Sequence, residues 1–197
     1  MSSYWPIWMR LLVAFALLSL AACAGGPSKT SGAGRVIVHN IDEDVNDDFD
    51  RAVSLLQSKQ YDKAIKILES VIQREKRAPA PYVNLGMAYM LKGDNKQAED
   101  YFHQALKLEL GHPEANNELG QLYRKTGRFR EARKAYRNAL ADNPDYLPAV
   151  RNLGILCEIY MHDLKCALEQ FEVYLTYAPN DEKVQIWVTD LKQRLGR

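Results

Sequence analysis

NLGMAYMLKGD (Asn84–Asp94), ELGQLYRKTGR (Glu118–Arg128) and NLGILCEIYMH (Asn152–His162) are three copies of one sequence pattern. The positions that recur at intervals of 34 residues are Leu85, Leu119 and Leu153, followed by Gly86, Gly120 and Gly154. A fixed period of this length is typical of a solenoid, in which small units bury their apolar faces against one another. The chain is therefore predicted to be an all-α solenoid.

Each copy is predicted to be a hairpin of two helices. In the first of these three copies, apolar residues recur at helical spacing, namely Leu85, Tyr89, Phe102 and Ala105. Gly86 and Ala98 are small enough for the two helices to cross closely. Helix ends, marked by glycine or proline, are predicted at Gly93, Gly127, Pro144 and Pro179.

The repeat extends in both directions. A weaker copy lies 34 residues upstream, where Ala52, Ala64, Leu68 and Val71 match Gly86, Ala98, Phe102 and Ala105. The fourth copy departs from the pattern, because Cys157 replaces a tyrosine and one residue is inserted near Met161–Lys165. Asn180–Leu195 is predicted to be an amphipathic helix that covers the apolar surface of the last unit.

This pattern resembles the tetratricopeptide repeat (TPR), a pair of antiparallel helices that stacks into a right-handed α-solenoid. The resemblance covers roughly residues 45–197 and implies about four hairpins followed by a C-terminal capping helix. The implied boundaries are 45–78, 79–112, 113–146 and 147–180 for the hairpins, and 181–197 for the cap. In this family the first helices of the hairpins line a concave groove that binds an extended peptide or a partner's helix.

The resemblance implies a groove lined by Asn84, Met87, Met90, Asn117, Gln121, Arg124, Arg151, Asn152 and Ile155. Asparagine can donate to and accept from a peptide backbone, methionine offers adaptable apolar surface, and arginine pairs with carboxylates. The alternative is that the asparagines bond within their own hairpins and that the polar face is only solvated.

The N-terminus is predicted to carry a lipoprotein signal peptide over residues 1–22. Arg10 precedes an apolar run, Leu11–Ala24, whose 14 residues are fewer than the roughly 20 that a transmembrane helix needs. LAAC, at Leu20–Cys23, resembles the lipobox of bacterial lipoproteins, in which the cysteine sulfur is acylated and the leader is cut before it. An ordinary signal-peptidase site with a chance cysteine is the alternative.

Residues 23–44 are predicted to be a lipidated flexible tether, because Ala24–Gly34 is rich in small and polar residues. The resemblance implies that Cys23 carries several acyl chains, which form a firmer anchor than one chain. Ala24, rather than Asp, follows the cysteine, and by the same resemblance this implies the bacterial outer membrane, facing the periplasm. The β-prone run Val36–Val38 is either an isolated strand or a segment that docks on the first helix.

Composition and motifs argue against an enzyme and against a nucleic-acid binder. The chain has 26 basic and 25 acidic residues, whereas a protein that tracks phosphates needs a basic excess. The four histidines lack metal-ligand spacing, and the sequence has no Gly-rich phosphate loop and no serine in a nucleophile context. We therefore expect no cofactor, no metal and no small-molecule substrate.

Cys157 and Cys166 lie at equal distances from the predicted turn of the fourth hairpin, so they would lie level on antiparallel helices. Export to an oxidising compartment would allow a disulfide between them. Two small buried residues are the alternative. With His162 the pair would supply only three zinc ligands, whereas structural zinc sites have four.

We predict a lipid-anchored TPR protein, not an enzyme, that binds a protein or peptide partner in its groove. It would support assembly of an envelope complex such as a pilus, a secretin, or motility or transport machinery. One alternative is an adaptor for an enzyme of cell-wall or polysaccharide synthesis. Another is a thiol redox protein that uses Cys157 and Cys166, although this pair lacks the C-x-x-C spacing that tunes a reactive thiol.

Overall fold

The computed structural model describes residues 43–197. The predicted signal peptide, the lipidation site Cys23 and nearly all of the predicted tether, including Val36–Val38, lie outside the described residues. Within the described range the chain forms nine α-helices: α1 (Glu43–Gln57), α2 (Tyr61–Arg74), α3 (Pro79–Lys92), α4 (Asn95–Leu108), α5 (Pro113–Lys125), α6 (Phe129–Ala141), α7 (Leu147–Ile155), α8 (Leu164–Tyr177) and α9 (Glu182–Arg194). A π-helical turn, Leu156–Tyr160, directly follows α7.

The helices pair as the hairpins α1–α2, α3–α4, α5–α6 and α7–α8, and α9 packs on the last of them. Gly93 follows α3 with a φ of 91°, and Gly127 lies two residues beyond α5 with a φ of 77°. This left-handed conformation suits glycine, which has no Cβ. Asp94 then accepts a hydrogen bond from the backbone of Gln97 and caps α4. The two glycines therefore end the first helices, as predicted.

A glycine allows each of the three strong repeats to close tightly. The pairs that meet inside a hairpin are Gly86 with Phe102, Gly120 with Tyr136, and Gly154 with Phe171. In every pair a Cβ added to the glycine would lie 2.5 Å from the ring, and all three rings are fully buried. The predicted close crossing is confirmed, because each ring occupies the space that a side chain on the glycine would need.

The apolar core runs along the array. One cluster of buried side chains extends from α3 to α9, and a second joins α1, α2 and α3. On α9, Val184, Val188 and Leu191 are buried, and Trp187 packs with its ring centre 5.1 Å from that of Phe171. The described residues thus form the predicted α-solenoid, with α9 covering its last hairpin. Among residues 43–197, no helix has the length and hydropathy of a membrane span.

The fourth hairpin accommodates its extra residue at a different place from the predicted one. The sequence predicts the insertion near Met161–Lys165, but the structure absorbs it in the π-helical turn Leu156–Tyr160. A π turn closes its hydrogen bonds over five residues, so it takes up one residue without breaking the helix. Accordingly, Met161 N donates to Leu156 O over 3.1 Å. His162 then adopts a left-handed conformation (φ 54°), as glycine does in the two preceding hairpins.

A disulfide joins Cys157, in the π-helical turn, to Cys166, in α8. Their Cα atoms are 5.8 Å apart, within the range that a disulfide spans. Cys157 is fully buried and Cys166 is partly buried. Because reactive thiols are typically accessible, this placement favours a structural cross-link over a redox centre.

Candidate functional site

The first helices of the hairpins form one side of the array. α1, α3 and α5 each contact the first helix of the next hairpin, which is α3, α5 and α7 in turn, as expected for the inner side of a curved solenoid. All nine predicted groove residues lie on α3, α5 and α7. We refer to the face that they form as the groove.

A polar network crosses the middle of the groove. Asn152 Nδ2 donates to Asn117 Oδ1 over 2.9 Å, which links α7 to α5. Asn117 Nδ2 donates to Glu118 Oε1 over 2.9 Å, and Gln121 Nε2 donates to the same oxygen over 2.6 Å. Asn117 is only 2% exposed, so it positions its polar neighbours and has almost no surface of its own to offer a partner.

Glu118 has an unusual environment for a carboxyl group. Burial raises its pKa to about 7, with a further contribution from Glu114, while the hydrogen bonds from Asn117 and Gln121 act in the opposite direction. A protonated carboxyl donates a hydrogen bond, whereas an ionised one only accepts. The centre of the groove therefore changes its hydrogen-bonding character near neutral pH.

The Glu118→Gln variant is expected to lose a pH dependence of stability that the unmodified chain has. The folded-state pKa of Glu118 lies above its ordinary value of 4.5, so the folded state holds the proton more tightly and stability falls as the pH rises towards 7. Urea titrations should show that the unfolding free energy falls by about 1–2 kcal/mol more between pH 5 and pH 8 in the unmodified chain than in the variant. Equal losses in the two proteins would contradict the raised pKa.

The α3 end of the groove is largely apolar. Met87 and Met90 pack against the core, and Leu91 beside them is 51% exposed. Lys125 reaches across from α5 and donates through Nζ to Met90 O over 3.1 Å. Asn84 donates to a backbone carbonyl one turn earlier in its own helix over 3.0 Å, as the alternative interpretation of this residue supposed.

The α7 end of the groove carries cations that lie over aromatic rings. The Arg151 guanidinium is 5.7 Å from the centre of the Trp187 ring, and Lys183 Nζ is 5.3 Å from the same centre. Arg151 Nε is buried without a hydrogen-bond partner in the described part of the chain. Arg124 lies 5.9 Å from the centre of the Tyr160 ring. The rings hold both arginines in place, and guanidinium groups so held can pair with a carboxylate.

An open cavity of about 410 Å³ adjoins the α7 end of the groove. It is lined by Leu147, Pro148, Arg151, Asn152, Ile155 and Tyr174. The three groove residues predicted on α7, Arg151, Asn152 and Ile155, therefore all border this cavity. Within residues 43–197, no group of three or more His, Cys, Asp or Glu side chains is arranged to hold a metal ion.

The sequence prediction omits two residues of this face, Glu118 and Trp187. The 34-residue period assigns Glu118, and not Asn117, to the position of Asn84 and Asn152, so the signal for Glu118 was present in the sequence. Trp187 had no such signal, because its contact with the groove depends on how α9 packs against α7.

A family model of the tetratricopeptide repeat matches residues 55–102 and 91–155, which together make up half of the chain. The chain belongs to the tetratricopeptide repeat family. TPR arrays commonly bind protein partners and generally act as scaffolds, which agrees with a groove that holds polar and apolar side chains in fixed positions.

The curated relatives are much larger than this TPR chain. The N-terminal acetyltransferase A complex auxiliary subunit NAA15 of Arabidopsis thaliana is 29% identical over 132 residues, which are 67% of this chain and 15% of that protein. The BBSome complex member BBS4 of Bos taurus is 27% identical over 121 residues, which are 61% of this chain and 23% of that protein. The chain thus spans less than a quarter of either relative.

Solved TPR structures share the fold. The structure of pilF from Pseudomonas aeruginosa has a TM-score of 0.70 at 20% identity and covers 78% of this chain and 69% of that chain. A thermophilic TPR protein of Thermus thermophilus has a TM-score of 0.67 at 21% identity, with coverage of 76% and 81%. At this identity the likeness concerns the fold alone.

Proposed function

We propose that the chain is a lipid-anchored TPR scaffold that faces the periplasm and binds a protein or peptide partner in its groove. It would support assembly of an envelope complex such as a pilus, a secretin, or motility or transport machinery. The hydrogen bond from Asn152 to Asn117 carries the groove assignment. It ties α7 to α5 and fixes a row of polar side chains across two hairpins, where a bound segment would run.

The two ends of the groove differ in chemistry, which limits the partners that fit. At the α3 end, an apolar side chain of the partner would pack against Met87, Met90 and Leu91. The α7 end would take a carboxylate on Arg151, from an acidic side chain or a C-terminus. In the middle, Gln121 offers amide groups to the backbone of the bound segment. The partner segment is therefore apolar at one end and acidic at the other.

Sequence outside the described residues supports the anchor. LAAC at Leu20–Cys23 matches the lipobox pattern, and Ala24 follows the cysteine where Asp would favour retention in the inner membrane. A role in an assembly is supported by the two relatives NAA15 and BBS4, since each is named as a member of a complex. A scaffold held at the membrane by acyl chains would keep its partner near the same surface.

Cross-linking and affinity capture from native membranes test this proposal. The full chain is compared with a groove variant that carries Asn84→Ala, Arg124→Ala and Arg151→Ala. We expect the variant to lose its captured partner by about tenfold or more, which corresponds to about 1.4 kcal/mol of binding free energy. Thermal unfolding must first show that the variant folds, because both arginines pack on aromatic rings.

The matched control carries three alanines on exposed positions of second helices, Lys66, Gln73 and Asp100. It should capture the partner as the full chain does. A Cys23→Ser chain should no longer incorporate labelled palmitate. Equal capture by the groove variant and the control would contradict the groove assignment, and a Cys23→Ser chain that incorporates palmitate as the unmodified chain does would contradict the anchor.

A further inference from the structure

A second cavity lies on the side of the array that the second helices form. It has a volume of about 410 Å³ and opens between α4 and α6. Its wall is mainly apolar and includes Leu106, Leu110, Leu119, Tyr123 and Ala135. Leu110, at 80% exposure, is the most exposed large apolar side chain among residues 43–197. We refer to this space as the α4–α6 cavity.

The internal repeat explains why the α4–α6 cavity is open. The residue 34 positions before Ala135 is Tyr101, and the residue 34 positions before Tyr123 is Tyr89. In the preceding hairpin the rings of Tyr89 and Tyr101 stack, with their centres 5.4 Å apart and their planes at 11°. Ala135 has no ring to place against Tyr123. A space that a tyrosine fills in one hairpin is therefore empty in the next.

The surroundings of Tyr101 support this correspondence. Burial, together with three neighbours, raises the pKa of Tyr101, and these neighbours are Tyr89, Glu69 and Tyr82. Their counterparts 34 residues later are Tyr123, His103 and Asn116. All three of these counterparts line the α4–α6 cavity. The same positions thus surround a tyrosine ring in one case and an open cavity in the other.

The rims of the two sites carry different charges. His103, Lys107 and Lys134 line the α4–α6 cavity, and the residues 34 positions before them are Glu69, Gln73 and Asp100. The acidic residue of the cavity, Glu131, pairs with Arg128 over 3.0 Å. Lys107 and Lys134 form no salt bridge within the described residues. A ligand with carboxylates beside its ring would complement this rim.

The Tyr123 ring is held firmly at the wall of the cavity. Its hydroxyl donates to Glu99 Oε1 over 3.0 Å, and the Arg128 guanidinium lies 4.1 Å from its ring centre. Arg128 in turn donates to both oxygens of Glu99 over 2.9 and 2.8 Å. A preorganised aromatic wall binds another ring without first losing side-chain freedom.

We propose that the α4–α6 cavity is a second binding site, which receives an aromatic side chain from a partner protein segment with acidic residues beside that aromatic residue. The ring packs against Tyr123 and above Ala135, in the space that Tyr101 fills one repeat earlier. The acidic neighbours pair with Lys107 and Lys134. The cavity opens between two second helices and none of the nine groove residues lines it, so this site is separate from the groove.

The test uses the peptide acetyl-Asp-(4-fluorophenylalanine)-Asp-amide and the full-length protein purified from membranes in detergent, with binding followed by ¹⁹F NMR. We expect the unmodified chain to shift and broaden the fluorine resonance at millimolar peptide. The Ala135→Tyr variant restores the tyrosine of the preceding repeat and should weaken binding by about tenfold or more. The groove variant should bind the peptide as the unmodified chain does.

A second variant keeps the test independent of how well Ala135→Tyr folds. Lys107→Glu leaves the cavity open and reverses one rim charge, so it should weaken binding of the acidic peptide. Binding of a neutral peptide, with glycine in place of both aspartates, should be unaffected. Four results would overturn the proposal: no fluorine shift with the unmodified chain, equal binding by a folded Ala135→Tyr variant, loss of binding in the groove variant, or a neutral peptide that binds the unmodified chain as tightly as the acidic one.

Discussion

Replacing Phe102 with alanine is expected to lower the free energy of unfolding by about 3–5 kcal/mol. The ring is fully buried and fills the space beside Gly86, where even a Cβ would lie only 2.5 Å away. Ala98 and Ala105, also fully buried, flank it on the same helix face and are too small to fill the vacated volume. The Phe102→Ala chain should therefore retain a cavity, which urea titration followed by circular dichroism would register as a lower midpoint.

The Leu110→Ala variant is the matched control for the loss of an apolar side chain. Leu110 is 80% exposed, so its removal should change the unfolding free energy by less than about 0.5 kcal/mol. If Phe102→Ala cost no more than this control, the close crossing of α3 and α4 could not be a main source of stability.

Removing the disulfide is expected to lower the unfolding free energy by about 2–3 kcal/mol. Cys157 and Cys166 are 9 residues apart in sequence, so the bond closes a short loop and restricts the unfolded chain. Cys157→Ala combined with Cys166→Ala tests this by thermal and urea unfolding. The effect should fall mainly on the π-helical turn and α8, which the bond connects.

Two controls accompany the disulfide prediction. Reductant should destabilise the unmodified chain and leave the double alanine variant unchanged. A Cys23→Ser chain unfolded without reductant should show no free thiol, since its two remaining cysteines are bonded to each other. Two free thiols per chain would contradict the disulfide.

The helices could be predicted from the sequence because the repeat carries two signals for them, its period and its glycines. The 34-residue period sets which positions correspond, and the glycines of each copy indicate where two helices cross and where the first one ends. The π-helical turn could not be located in the same way. An extra residue shifts Phe171 by one position whether it lies in the loop or in the helix, so the spacing alone does not separate the two.

The groove was harder to predict than the fold. The period correctly assigns its residues to the first helices. Which of these side chains a partner can reach depends on burial, which the period does not predict. Asn117 is buried and donates a hydrogen bond to Glu118, so it positions Glu118 and is not itself accessible to a partner. Contacts from α9, such as that of Trp187 with Arg151, depend on tertiary packing. The α4–α6 cavity did have a sequence signal, because Ala135 stands at the position of Tyr101.

Site-specific photo-cross-linking in native membranes tests the central claim, that a partner binds in the groove, most directly. A photoreactive benzoylphenylalanine is placed at Leu91, in the groove, or at Lys66, which is exposed on α2. We expect a discrete cross-linked partner band from Leu91 and none from Lys66. A band from Lys66 together with no band from Leu91 would contradict it, because the partner would then contact the second helices and not the groove.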